Sequence, residues 1–210
     1  MVNLMPMVHA ERRSLAGFLD TLPVEQWAAP SLCDKWNVQQ VVGHIVAAGN
    51  VTVPHFFTGF VRAGFNFDRF VEGDLERYAA GTPADTRARF DTIIDSNRTP
   101  PAPDSKYVAL GEVMVHGEDI RRALGQPGEH PAEHLVTLAE YYKGTGAPLR
   151  GKKRLVGLRL EATDVDWSTG EGRLVRGPCM ALILGMVGRT AALAECEGDG
   201  IELLRSRAQV

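Results

Sequence analysis

Glu112 and His116 stand four residues apart inside an apolar run, EVMVHGEDIRR over residues 112–122. At about 100° per residue on a helix, Ala109, Val113, Ile120, Ala123 and Leu124 share one arc, with Glu112 and His116 within or beside it. Glu118, Arg121 and Arg122 fall on the opposite side and are expected to form the solvated face. An inward carboxylate without a partner is costly or neutralises, so Glu112 needs a partner. One turn apart, an acid and an imidazole can point at one place, as two ligands of a metal ion do.

A third ligand has to come from a facing helix, and the chain holds six histidines. His44, in VVGHIVAAGN, shares a side with Val41, Ala48 and Val51. His55 lies on the same stripe eleven residues later, roughly 16 Å along a helix axis, and beyond Pro54, so only one of the two reaches a common point. His130 and His134 flank a proline loop and read as solvated, and His9 sits near a terminus expected to fray. Two readings of the residues stay open. One is a metal site of His44, Glu112 and His116; the other is a buried His116–Glu112 hydrogen bond beside a satisfied core histidine at position 44.

Further reactive groups divide in the same way. Cys33 precedes the helix of His44, where a thiol pKa can fall. No base stands beside it in sequence, so packing with Trp27 and Trp36 is expected. Asp119, about one turn beyond His116, either orients that imidazole or pairs with Arg122 at the surface. Arg77 and Arg121 read as solvated, and Cys179 and Cys196 as buried or incidental.

The elements that must position these groups follow from periodicity. Leu15, Phe18, Leu19 and Leu22 mark a helix over 7–22, and a longer one begins near Asn37 and heads for Phe60, with Pro54 expected to kink or break it. Residues 63–82 are mixed. PADTRARFDTIIDSN starts with Pro83 as a third helix, a stiff TPPAPDSK connection follows, and a fourth helix spans about 106–124 before Gly125 and Pro127. The expectation is a four-helix bundle over 1–128, a loop and short helix over 129–144, and a small α+β unit over 145–210. In that unit KRLVGLRLEATD and RLVRG read as strands, PCMALILGMVGRTAALAE as a helix, and GDGIELLRS as a turn leading into a last strand.

With 44% hydrophobic and 23% charged residues and a net charge of -3, the chain reads as an ordinary globular protein without the footprint of a nucleic-acid binder. The three cysteines are odd in number and lack a CxxC, which fits a reducing cytoplasm better than a disulfide framework. The most apolar run, CMALILGMVG, is about ten residues long, short of the roughly 20 that a membrane span needs.

ERRSLAGFLDTLPVEQWAAPSLCDKWNVQQVVGHIVAAGN followed by GEVMVHGEDIRRALG resembles the mycothiol-dependent maleylpyruvate isomerase family, part of the DinB-like metal-binding bundles. The shared pattern is a Trp, then Leu-Cys-x-x-Trp-x-Val before a helix carrying a His, then Glu-x-x-x-His-x-x-Asp on the last bundle helix. The tail from about 159 is similar, more loosely, to the family's sterol-carrier-like C-terminal domain. The resemblance implies an α+β fold with an N-terminal DinB-like four-helix bundle. It also implies a divalent ion, usually zinc, on His44, Glu112 and His116, and a low-molecular-weight thiol such as mycothiol. That thiol would serve isomerisation or S-conjugation of a small electrophile, by a monomer or homodimer. Arg189 sits where the family has a Gly-Arg pair and would hold a substrate carboxylate, or else pair with Glu195 or a backbone carbonyl at its helix end. A non-catalytic binder of an apolar molecule and a metal-dependent hydrolase are the alternatives.

Overall fold

The computed structural model describes residues 3–33, 35–147 and 149–208, which divide into two compact units meeting in sequence between Gly128 and Glu129. In the first, α1 (Met5–Asp20), α2 (Val38–Asn50), α5 (Pro83–Asp91) and α6 (Ser105–Ala123) pack around a core that includes Leu19, Val42, Ile45, Phe90, Ile93, Leu110 and Met114. The buried Arg12 ties α1 to the end of α5. Its Nη1 donates to the carbonyls of Ile93 and Ser96 at 2.7 and 2.9 Å, where helix-end carbonyls need donors, and burial draws its pKa down to about 10.

Between α2 and α5 the chain forms a hairpin of α3 (Val53–Arg62) and α4 (Phe67–Tyr78). The long second helix expected to run towards Phe60 therefore ends at Asn50. Val51 is extended, the Thr52 hydroxyl caps the next helix by accepting from His55 N, and Pro54 lies in that helix's first turn, where its missing N–H costs nothing. The mixed stretch over 63–82 contains a helix because Asn66 caps α4, accepting from Arg69 N. The third helix stops at Asp91 and continues as turns, short of the expected Asn97. Gly43 permits the close approach of α4 to α2: a Cβ there would lie 2.9 Å from the backbone nitrogen of Ala79.

The second unit begins with α7 (Ala132–Lys143) and the single turn α8 (Gly151–Arg154). Strands β1 (Leu158–Ala162), β2 (Ser168–Gly170) and β3 (Arg173–Gly177) form a sheet in the order β2-β1-β3. Leu160 faces Thr169 in the antiparallel pair and Val175 in the parallel one. Leu158, Leu160 and Val175 are buried, and α9 (Cys179–Met186), apolar all round and wholly buried, packs on the sheet and on α7. Trp167 of this unit donates its indole N–H to Glu140 of α7 at 2.8 Å.

The expected last strand is instead a helix, α10 (Ile201–Ala208), and the expected long helix from 178 breaks after Met186 into a 3-10 segment over Thr190–Glu195. The two differences have separate causes. Gly188 takes φ +94, which ends α9. Residues 197–200 occupy the outer edge of β3: Glu197 pairs with Arg176, Asp199 accepts from Leu174 N, and Gly200 N donates to the Leu174 carbonyl. With that edge taken, Leu204 is buried from a helix, close to Gly185 of α9.

Cys179 opens α9, and its N–H is held by the Asp164 carboxylate at 2.8 Å. Burial, with Asp164 adding to it, pushes its thiol from 9.0 up to about 12. The folded protein therefore holds this proton more tightly than the unfolded chain does, and the stability this contributes below pH 9 is lost as pH rises towards 12. Cys179 is expected to be the last of the three thiols to react with Ellman's reagent at pH 8, on the timescale of unfolding. Reaction as fast as Cys33 or Cys196 would show the burial to be wrong.

Candidate metal centre

The segment before α2 is braced at both ends. Val38 N donates to the Ala29 carbonyl at 3.0 Å, and Asn37 and Gln40 form a reciprocal capping box that starts the helix. Two turns on, His44 projects from α2 towards α6, which carries Glu112 and His116. Their side chains are 17, 26 and 13% exposed, so the group is largely shielded from water.

One carboxylate oxygen lies between the two imidazoles. Glu112 Oε2 is 3.0 Å from Nε2 of His44 and 3.6 Å from Nε2 of His116, and the imidazole centroids are 4.8 Å apart, edge to face. Asp119, whose side chain is 0% exposed, accepts from Nδ1 of His116 at 3.0 Å. That hydrogen bond places the ring proton on Nδ1 and turns the Nε2 lone pair of His116 towards Glu112. Of the two readings of Asp119, the structure selects the one in which it orients His116. Arg122 pairs with Glu118 at 2.6 Å.

The donor set suits a divalent cation. Two imidazole nitrogens and a carboxylate oxygen are ligands that zinc accepts, and tetrahedral bonds of about 2.05 Å place donors roughly 3.3 Å apart. The distances of 3.0 and 3.6 Å bracket that edge, and all three donor atoms lie within 4.8 Å of one another. A lone pair of His116 facing a carboxylate oxygen is also an arrangement that a cation between them relieves.

Two groups at the centre escaped sequence reasoning. The Trp36 ring lies 4.8 Å from that of His44 and 6.2 Å from that of His116, covering both. Cys33, expected only to pack, has Sγ 2.9 Å from Asp119 Oδ2 and 3.5 Å from His116 Nδ1. This is not a nucleophile relay, in which thiol and carboxylate engage opposite nitrogens of the imidazole. Here both meet Nδ1, and the thiol donates to Asp119. The visible signal was Leu-Cys-x-x-Trp directly before the capping residue Asn37.

The remaining candidates lie elsewhere. His55 is paired with Asp74 at 2.8 Å, and a ring nitrogen of His9, within α1, donates to the Ser96 carbonyl at 3.1 Å. His134, expected in a solvated loop, is 7% exposed in the first turn of α7. Arg77 is exposed as expected, its guanidinium 5.4 Å from the Tyr78 ring. Glu118, expected on the solvated face, is 0% exposed and accepts from Arg122 and from Gly128 N at 2.7 Å; closure of the α6 C-terminus over it removes it from water. Arg121, also expected to be solvated, lies over the Phe18 ring at 4.3 Å with its pKa lowered by burial. Arg189 belongs to the second unit, just beyond α9, where Nη1 is 3.5 Å from the Val187 carbonyl.

No curated protein sequence matches the chain. Two crystal structures of mycothiol-dependent maleylpyruvate isomerase, one of them a histidine-to-alanine mutant, superpose with TM-scores of 0.63. Identity is 13% to the mutant and 14% to the other, over 94% of this chain and 93% of theirs, so they share its α+β fold. Residues 8–104 match the sequence family described as the mycothiol maleylpyruvate isomerase N-terminal domain. That stretch carries His44 and most of the bundle that sets it against α6, and over it the helical unit of this chain is similar to the mycothiol maleylpyruvate isomerase N-terminal domain family.

Proposed function

We propose that this protein is a metal-dependent enzyme that uses a low-molecular-weight thiol, mycothiol or a close analogue, to isomerise or S-conjugate a small electrophile of the maleylpyruvate kind. The observation carrying this reading is the meeting of His44, Glu112 and His116 around one carboxylate oxygen. A divalent ion, most simply zinc, would supply Lewis acidity able to keep a thiol deprotonated near neutral pH.

The chain's own residues set the conditions for that chemistry. Asp119 holds the Nδ1 proton of His116 and so presents Nε2, and Trp36 shields the imidazoles from bulk water. Three protein donors leave a tetrahedral ion with one position for a further ligand. Among the described residues no helix is long and apolar enough to cross a membrane.

The test is a thermal-shift and turnover screen with mycothiol, glutathione and bacillithiol on metal-loaded wild type and His44→Ala. Mycothiol at about 100 times its Kd should stabilise the wild type by about 2.7 kcal/mol and leave His44→Ala unmoved. Stabilisation by none of the thiols would sink the thiol-dependent reading, and ester hydrolysis without added thiol would point to a hydrolase instead.

A further inference from the structure

We propose that Cys33 is a positioning residue of this centre: its thiol holds Asp119, and through it the His116 imidazole, in the orientation that aims Nε2 of His116 at His44 and Glu112. The inference rests on the metal-centre reading for its consequence, but its geometry belongs to the protein alone. Cys33 Sγ and His116 Nδ1 converge on the same oxygen, Asp119 Oδ2, at 2.9 and 3.0 Å. The Asp119 side chain is 0% exposed, so bulk water does not readily replace a donor removed from it. A thiol on one side and an imidazole on the other leave that oxygen little freedom to rotate.

The thiol is itself held in place. Ser31 Oγ accepts from Cys33 N at 3.0 Å and donates to the Trp36 carbonyl at 2.7 Å, while Trp36 N donates to the Cys33 carbonyl at 2.9 Å. Leu32 N donates to the backbone carbonyl of Asp119 at 3.0 Å. The segment ahead of α2 thus grips Asp119 twice, by backbone and by thiol, and it carries the Trp36 ring that covers His44 and His116. One short segment positions both imidazoles, and Cys33 is its link to His116.

Groups that orient metal-bound histidines through a hydrogen bond typically contribute 10- to 100-fold to metal affinity. The experiment compares full-length wild type with Cys33→Ala and Cys33→Val, which remove the donor while leaving or filling the sulfur's space, and with Cys33→Ser, which keeps a donor. Zinc affinity is read by competition with a chromophoric chelator, and the His116 tautomer in zinc-free protein from its ring 15N shifts. Cys33→Ala and Cys33→Val are expected to lose about 10- to 100-fold in affinity and to mix the two tautomers. Cys33→Ser should stay within the scatter of the wild type on both readouts. Unchanged affinity and tautomer in the donorless variants would overturn the proposal, as would a Cys33→Ser variant impaired as far as Cys33→Ala. A wild type that binds no zinc would overturn the metal-centre reading instead, and the tautomer comparison would still decide the role of Cys33.

Discussion

Substitution of His116 by alanine is expected to weaken zinc binding by more than about 100-fold, beyond the loss typical of a group that only orients a ligand. The same substitution should bring thiol-dependent turnover down to background. The expectation comes from His116 being the donor with the most support: Asp119 fixes its ring, Trp36 covers it, and Glu112 faces its Nε2. The variant leaves Glu112 hydrogen-bonded to His44 at 3.0 Å, so the pair closes on itself in place of opening towards a cation. Metal analysis of protein purified without a histidine tag, followed by chelator competition, reads the result. Stoichiometric metal retained by His116→Ala, or none in the wild type, would remove the three-ligand centre.

Replacement of Phe90 by alanine is the largest stability effect expected in the helical unit, about 4 kcal/mol. Phe90 is 0% exposed in α5, which packs against both α1 and α2. Its neighbourhood cannot easily collapse into the space. Ile93, also buried, already sits so close to Gly49 of α2 that an added Cβ there would lie 3.0 Å from its side chain. Arg12 holds the carbonyl of Ile93 in place from α1. The urea midpoint of the helical unit, followed by α-helical circular dichroism, should fall with little change in slope. A loss under about 1 kcal/mol would mean that the α5 contact is looser than its burial implies.

The arrangement of the centre was legible in part from local chemistry. An acid and an imidazole one turn apart on an apolar arc need partners wherever the helix packs, and that necessity singled out Glu112, His116 and the facing His44. Pro54 and Gly125 likewise act on their own backbones, so a break after α2 and the end of α6 could be expected. Asp119 was legible as a choice between two partners. The choice depended on which neighbour lay nearer in space, and Arg122 was taken by a Glu118 that tertiary packing had buried.

Other features depended on packing more than on local signals. The helix α4 carries mixed polarity because it lies on one side of α2 and leaves the rest of its surface to water. The last segment, 201–208, has apolar residues compatible with a strand, and it became a helix because residues 197–200 had already occupied the edge of β3. Cys33 illustrates the same limit at the centre: 86 residues separate it from Asp119, and no spacing along the chain relates a thiol to a carboxylate on another helix. By itself the sequence determined which side chains could not be left alone in a core, because burial penalties act residue by residue. Tertiary structure decided which of them meet, because hydrogen bonds and metal coordination require donor atoms within a few ångströms, and only packing sets those distances.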